Sequence, residues 1–359
     1  MDANIQWMER ALQLAAYGRG SVSPNPMVGC VIVYENRIIG EGWHRKYGGP
    51  HAEVRAVEDA EEKGNEDMLD KSTAYVTLEP CSHYGKTPPC AELLIRKKIK
   101  KVVICNDDPN PLVSGSGIKR MLEAGIEVES GMLADKGKEL NKRFFAGMIQ
   151  KRPYVILKWA QSADGYIGHA GGPPVQISGQ LSNMRVHKWR TEEDSILVGF
   201  KTALMDNPRL NVRNWHGENP VRIVLDRFLQ LPEKLNFFDG SQPTIVVNHL
   251  EQTIMPTNPE RYAENPGIAY VQVEAGQQEI HQLLAKLYER KIQSVFVEGG
   301  ATVINAFLQA GLWDEIRKCQ GSKIIGSGIK APLAEGILTA SEKIQDDLWT
   351  FYSRSSDTP

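Results

Sequence analysis

Val28-Gly29-Cys30-Val31-Ile32-Val33-Tyr34, then Glu35-Asn36, then Arg37-Ile38-Ile39-Gly40 reads as two apolar β-branched strands joined by a two-residue turn. Gly48-Gly49-Pro50 makes the next turn, and a helix can begin at once with His51, carrying Val54, Ala56, Val57 and Ala60 on its apolar side. Upstream, Ile5, Met8, Leu12, Ala15 and Ala16 share one helical face. That helix must stop by Ser23-Pro24-Asn25-Pro26, because two prolines cannot sit inside it. Downstream, strands are predicted over 73–78, 101–105 and 126–129, and helices over 90–98 and 118–124. A hairpin followed by alternating helices and strands predicts an α/β sandwich.

A basic, polar stretch follows at 136–153 (Lys136, Lys138, Lys142, Arg143, Lys151, Arg152, Pro153) and reads as a linker. Alternation restarts with a strand over 154–159. Further strands are predicted over 196–199, 221–225, 244–248, 268–273 and 294–297, with helices over 181–191, 281–290 and 301–310. The expected division is therefore 1–150 and 151–359, both α/β, and 359 residues at roughly 150 per domain agrees with two.

Charge and composition exclude several classes of function. With 42 Lys+Arg against 44 Asp+Glu the net charge is −2, which argues against a wholesale polyanion binder, so no nucleic-acid partner is expected. No apolar run approaches the roughly 20 residues of a membrane span. Met1-Asp2-Ala3-Asn4-Ile5 lacks the basic and apolar regions of a secretory signal, so a cytoplasmic location is expected. Five cysteines, an odd count in a long chain, do not read as a disulfide framework. They are either buried small residues or metal ligands.

The strongest chemical signal is His51-Ala52-Glu53 followed by Pro80-Cys81 and then Cys90. Zinc deaminases carry H-x-E and a later P-C-x-x-C. One imidazole and two thiolates make three ligands and leave a fourth tetrahedral position open to water, whose pKa the metal lowers. Glu53, two residues past His51, can point at that water without ligating and can carry its proton. The cysteine spacing departs from the short form, because Ser82 to Pro89 is inserted between Cys81 and Cys90. That loop hangs Lys86 beside the site, where it could read an anionic or carbonyl group. It also offers His83, which could instead close a structural site with four protein ligands. Cys30, Cys105 and Cys319 lie in apolar strand-like runs and read as structural.

The second half says less. Gly326-Ser327-Gly328-Ile329-Lys330-Ala331 satisfies a relaxed dinucleotide pattern, but Pro332 follows and no helix opens there, so no Rossmann site is expected. Glu298-Gly299-Gly300, between a strand and the helix over 301–310, is either a phosphate-receiving helix start or a plain turn. Thr202, Asp206-Asn207-Pro208, Arg209 and Arg213 are either a phosphate-reading cluster or a solvated charged loop.

Taken with their surroundings, these residues resemble the bifunctional riboflavin-biosynthesis deaminase/reductase family over nearly the whole chain. The matching N-terminal stretches are Pro24 to Gly29, Gly40 to His44, His51 to Glu53, Thr77 to His83, Gly85 to Cys90 and Asp108 to Pro111. In the second half they are Lys158 to Gly165, His187 to Gly199, Thr202 to Arg213 and Glu298 to Gly300. The resemblance implies a cytidine-deaminase-like α/β/α sandwich followed by a dihydrofolate-reductase-like α/β domain, the latter using a nicotinamide cofactor without a glycine-rich fingerprint.

It also implies the reactions: zinc-dependent deamination of 2,5-diamino-6-(5-phosphoribosylamino)pyrimidin-4-one, then NADPH-dependent reduction of the ribose to a ribityl chain. By resemblance His51, Cys81 and Cys90 hold Zn2+ and Glu53 shuttles the proton. Asn25, His44, Lys86 and Asp108 contact substrate, although Asn25 and His44 alone read as ordinary polar loop residues and Asp108 to Pro111 as a strand-end turn. In the reductase half, Lys158 is the catalytic candidate, and Arg190, Leu210, Arg213 and Glu298 face substrate. Ala160, Thr202, Asp206 and the run Gly300, Ala301, Thr302, Val303, Ile304, Asn305, Ala306 and Phe307 face NADPH. The family usually has Ser at Pro174, Trp at Gln176 and Ser at Arg227, departures that bear on phosphate and cofactor contacts. A homo-oligomer is expected. The competing readings are a deaminase with a degenerate reductase half, a nucleic-acid deaminase, and a zinc-stabilised binding module.

Overall fold

Glu35 and Asn36 turn the chain with φ of 46° and 59°, the left-handed pair that a two-residue hairpin turn requires. They join β1 (Gly29–Tyr34) to β2 (Arg37–Trp43), which pair antiparallel. The computed structural model describes residues 3–82, 88–110, 114–171, 175–250 and 267–354. His83, Lys86, Pro111 and Pro174 lie outside the described residues. The chain divides into two compact units, Met1–Gln150 and Lys151–Pro359.

In the first unit α1 (Ala3–Ala16) precedes the hairpin. After it come α2 (Ala52–Glu62), β3 (Thr73–Leu78), α3 (Cys90–Arg96), β4 (Lys101–Asn106), α4 (Ser116–Glu123), β5 (Glu127–Ser130), α5 (Ala134–Leu140) and α6 (Lys142–Gln150). Among the described residues the strands form one sheet, β2-β1-β3-β4-β5, with β3, β4 and β5 parallel. Side chains alternate across a pleated strand. Cys30 and Ile32 accordingly join the core under α2, α3 and α4 with Ala56, Leu94 and Met121, while Val31 and Val33 join Met8, Ala11 and Leu14 of α1 on the other face. This is the three-layer sandwich expected. Gly40 lets α2 lie close on β2, since a methyl there would overlap the Ala56 carbonyl.

The stretch expected to be a linker is helical. Phe144, Ala146 and Gly147 of α6 are buried, and Lys136 and Lys142 reach outward to Glu9 and Glu139. Its lysines cover the outside of packed helices, so density of charge did not mark a break.

The second unit runs β6 (Tyr154–Gln161), β7 (Tyr166–Gly168), α7 (Gln180–Glu192), β8 (Ser195–Gly199), α8 (Phe200–Asp206), β9 (Val221–Leu225), β10 (Thr244–Asn248) and β11 (Ile268–Gln272). It continues through α9 (Glu279–Glu289), β12 (Ser294–Val297), α10 (Ala301–Ala310), β13 (Glu315–Gln320), β14 (Ile329–Lys330), β15 (Ile337–Ile344) and β16 (Asp347–Ser353). Among the described residues nine of these strands form a sheet ordered β11-β10-β9-β8-β12-β6-β13-β16-β15, parallel from β11 to β13 and antiparallel thereafter. Gly328 to Lys330 leads into a two-residue strand against β7, not a helix, as the proline after it predicted. Parallel sheets place ligands at the carboxyl ends of their strands. Here Gly199 and Gly300, which end β8 and cap α10, bring two helix starts to that edge side by side. No helix among the described residues is long and apolar enough to cross a membrane.

Candidate active sites

His51 caps α2, Cys81 lies three residues past β3, and Cys90 opens α3. The carboxyl end of β3 and the starts of two helices therefore meet, and the three donor atoms come within 4.8 Å of one another. His51 Nδ1 lies 3.2 Å from Cys90 Sγ and 3.7 Å from Cys81 Sγ, while the Cys90 N–H donates to Cys81 Sγ at 3.4 Å. Hydrogen bonding from Cys90 and His51 pulls the Cys81 thiol down, and the bond to Cys81 lifts His51 to about 9. All three groups must be deprotonated to bind a metal, so metal binding and their protonation are linked. One imidazole nitrogen and two sulfurs at this separation are a donor set that fits zinc.

Glu53 is 3% exposed in the first turn of α2. Burial pushes its carboxyl up, with His51 opposing. A buried carboxyl beside the donor cluster is suited to taking and returning a proton. His44 sits edge-on to His51 with ring centroids 5.5 Å apart. Its Nδ1 donates to the Pro50 carbonyl at 3.0 Å, so Nε2 is the acceptor for the Asn25 side-chain N–H at 3.2 Å. Asn25 and His44, unremarkable in the sequence, are thereby one hydrogen-bonded pair beside the cluster.

Asp108 follows β4, next to β3. Its backbone N–H reaches Glu79 Oε2 at 3.3 Å, and its Oδ1 accepts the Asn110 N–H at 2.8 Å. Glu79 also accepts N–H groups from Gly115, Gly117 and Ile118, so one buried carboxylate ties the Asp108 segment and the start of α4 to the end of β3. Sequence reasoning passed over Glu79. The available signal was an acid next to a proline at a buried strand end, where orphan N–H groups need an acceptor.

The second site is a cleft of about 1630 Å³ at the carboxyl edge of the second sheet. Pockets for drug-sized ligands measure about 300–1,000 Å³, so this cleft is larger than a single small ligand requires. Lys158, Ala160, Thr202, Asp206 and Glu298 line it. So do Gly300 to Val303, Ala306 and Phe307, along the inner side of α10. Ile304 and Asn305 correct the expectation of a continuous cofactor-facing run. Ile304 is 0% exposed in the core and Asn305 is exposed away from the cleft, because a helix turns 100° per residue and cannot present eight consecutive side chains.

At the inner end of the cleft Glu298 accepts two bonds from Arg190, at 2.8 and 3.1 Å, and lies 3.4 Å from Lys158 Nζ. Burial alone would raise the Glu298 carboxyl, but Arg190 and Lys158 outweigh it and hold it down at about 2. Arg190 also reaches the Asn211 carbonyl, and Arg213 reaches the Asn211 side chain, so Arg190 and Arg213 are joined through Asn211. Leu210 does not present its side chain: it is 3% exposed in the core with φ of 53°, leaving only its backbone for a ligand. His187, one turn before Arg190 on α7, was passed over in the sequence. Burial first, then Arg190 and Arg213, push it down to about 4, and its neutral Nδ1 accepts the Arg213 N–H at 3.3 Å. Of the departures from the family pattern, Gln176 lines the cleft and bonds its own Ser178 carbonyl, and Arg227 pairs with Glu279.

Comparison with known proteins decides what holds these two sites. The cytidine and deoxycytidylate deaminase zinc-binding region matches residues 1–106, and the RibD C-terminal domain matches residues 153–351. Riboflavin biosynthesis protein RibD of Aquifex aeolicus is 38% identical, covering 98% of this chain and 99% of that protein. The chain belongs to the RibD family of riboflavin-biosynthesis proteins. The RibD of Bacillus amyloliquefaciens is 40% identical over 92% of this chain and 87% of its own. A solved Thermotoga maritima structure, described as a diaminohydroxyphosphoribosylaminopyrimidine deaminase/5-amino-6-(5-phosphoribosylamino)uracil reductase, superposes with a TM-score of 0.87. It is 36% identical and covers 98% of this chain and 99% of that one. As a RibD protein the chain is a bifunctional enzyme, a deaminase with a zinc-binding domain and a reductase with a RibD C-terminal domain, and its cofactors are Zn2+ and NADPH.

Proposed function

We propose that residues 1–150 deaminate 2,5-diamino-6-(5-phosphoribosylamino)pyrimidin-4-one and that residues 151–359 reduce the ribose of the product with NADPH. The observation that carries this reading is the convergence of His51 Nδ1, Cys81 Sγ and Cys90 Sγ beside the buried Glu53 carboxyl. His51, Cys81 and Cys90 would hold zinc, which when bound supplies a Lewis acid that activates water. Glu53 takes the proton from that water and passes it to the ring and the departing amine, so that water and the C–NH2 group become C=O and ammonia. Asn25 and His44 present fixed polar edges to the pyrimidine, with Asp108 and Lys86 completing its contacts.

In the second unit NADPH, when bound along α10, supplies the hydride. Lys158 holds an ammonium proton at the inner end of the cleft, where it can pass to the ribose oxygen as the ring opens. Glu298 pairs with Lys158 and Arg190 and orients both. Burial first, then Arg190 and Arg209, disfavour the charge on Arg213, with Glu298 opposing. Such a crowded cationic cluster is relieved by an anion, which assigns it the substrate phosphate, with the Leu210 backbone alongside. Thr202, Asp206 and Ala160 border the cofactor.

The protein acts in the cytoplasm on a small molecule rather than on nucleic acid. We place a second copy against β15, an edge strand that among the described residues pairs only with β16 and that exposes Ile337 and Leu338 at the end of the sheet. The test supplies the full chain with zinc, the diaminopyrimidine and NADPH. Ammonia release followed by loss of reduced-nicotinamide absorbance is expected. Ammonia with no NADPH loss would restrict the activity to the first unit.

A further inference from the structure

Arg213 stands on a loop that has no regular structure beneath it. Residues 208–219 belong to no helix or strand, and among the described residues no backbone-to-backbone hydrogen bond involves them. Side chains hold the loop instead, one residue at a time. The Asn211 carbonyl accepts Arg190 Nη1 at 3.1 Å, the Val212 N–H donates to Asn219 Oδ1 at 2.7 Å, and the Arg213 N–H donates to His187 Nδ1 at 3.3 Å. From Arg213 to Asn219 the chain is exposed. The bond to His187 is therefore what ties the backbone of Arg213 to the body of the second unit.

We propose that His187 is a positioning residue of the reductase half: its imidazole fixes the backbone of Arg213 and so aims that arginine at the substrate phosphate. The proposal rests on the assignment of that phosphate to the Arg190 and Arg213 cluster, and adds what builds the cluster. His187 is 2% exposed and lies three residues before Arg190 on α7. Residues three apart on a helix are neighbours on its surface. One short stretch of α7 thus takes hold of the loop at two points, Asn211 through Arg190 and Arg213 through His187.

An uncharged imidazole is what this task requires. A neutral ring has one acceptor nitrogen and a protonated ring has none. Nδ1 accepts here, so Nε2 carries the proton. Burial, Arg190 and Arg213 all disfavour charge on the ring and outweigh Glu298 and the Asn211 carbonyl, which pushes His187 down to about 4. The arginines therefore maintain the acceptor that one of them depends on. With its backbone held, Arg213 rests Nη1 on Asn211 Oδ1 at 3.1 Å, and its other donors remain for a phosphate.

The experiment supplies the full chain with NADPH and either 5-amino-6-(5-phosphoribosylamino)uracil or its dephosphorylated form, and follows NADPH binding by fluorescence. Wild type is expected to have the lower KM for the phosphorylated form. His187→Leu, which accepts nothing, is expected to raise that KM roughly five- to hundredfold, the range for stranding a buried donor, with kcat, the KM of the dephosphorylated form and NADPH binding unchanged. His187→Asn puts a carboxamide oxygen where Nδ1 stands and is expected to restore the preference. In an Arg213→Gln background His187→Leu should cost nothing further, because it acts through Arg213. A preference that survives His187→Leu, equal losses in the Leu and Asn variants, an undiminished cost in the Arg213→Gln background, or loss of NADPH binding by His187→Leu overturns the proposal. Equal KM values for the two forms in wild type overturn the phosphate assignment with it, and reduction of neither form overturns the reductase reading itself.

Discussion

Asn141 and Met27 exchange a reciprocal pair of hydrogen bonds: the Asn141 carboxamide oxygen accepts the Met27 N–H at 2.8 Å, and its nitrogen donates to the Met27 carbonyl at 2.8 Å. Asn141 sits between α5 and α6 and is 3% exposed. Met27 is two residues from Asn25, whose side chain meets His44 beside the metal ligands. A residue 114 positions away therefore fixes the backbone that carries Asn25. Asn141→Ala leaves a buried donor and a buried acceptor unpaired, at about 1–3 kcal/mol each. Urea unfolding should show a loss of that order, and the KM for deamination should rise by more than kcat falls.

Glu79→Gln should loosen the Asp108 segment. A carboxamide offers one acceptor oxygen in place of two, so of the four N–H groups from Asp108, Gly115, Gly117 and Ile118, two lose their partner. Zinc content should be retained, and the KM of the first reaction should rise while reductase activity on separately supplied product stays unchanged.

Glu53→Gln should retain zinc, since His51, Cys81 and Cys90 are untouched, but lose deamination by about 10²–10⁴-fold, the usual contribution of a positioned proton carrier. Metal analysis and an ammonia assay on the same preparation check both halves of the statement. Full turnover by the variant would remove the proton-carrying role.

The Glu298 carboxyl is held at about 2 in the folded protein, below the usual 4.5. The unfolded chain therefore binds the extra proton first as pH falls. The stabilisation that Glu298 gives is fully present above about pH 4.5 and is lost as pH drops from there towards 2. Subtracting the acid-side stability profile of Glu298→Gln from that of wild type should leave a difference confined to this window. A flat difference would mean that Arg190 and Lys158 do not hold the carboxylate.

Short apolar β-branched runs were enough to read several parallel strands of the second sheet: β9, β10 and β12 begin and end where the runs do. The pattern fails where charge is buried or covers a packed helix. The run around Cys319 that reads as strand-like and apolar is β13, whose charge is buried: Arg317 is 5% exposed, with its guanidinium 4.6 Å from the Trp189 ring centre and paired with Glu315 and Glu193. α8 is absent from the predicted helices because its first turn carries Lys201 and Thr202 and its last Asp206, polar residues that left the segment open between a phosphate-reading cluster and a solvated loop. α7 was legible as a helix over 181–191, but it turns Ser182, His187 and Arg190 inward beside Val186, so the chemistry of its buried face was not. The His51, Cys81 and Cys90 set was legible from residue type and order. Glu79, Asn141 and His187 were not, because each acts by satisfying the backbone of a segment distant in sequence, and such pairings exist only once the chain has folded.

X-ray absorption at the zinc edge of the full chain tests the central claim most directly. The account predicts one equivalent of zinc with one imidazole nitrogen, two sulfurs and one light non-protein scatterer in its first shell, reduced to a single sulfur in Cys90→Ser. A shell closed by four protein ligands, or a chain that retains no zinc with His51, Cys81 and Cys90 intact, would contradict it.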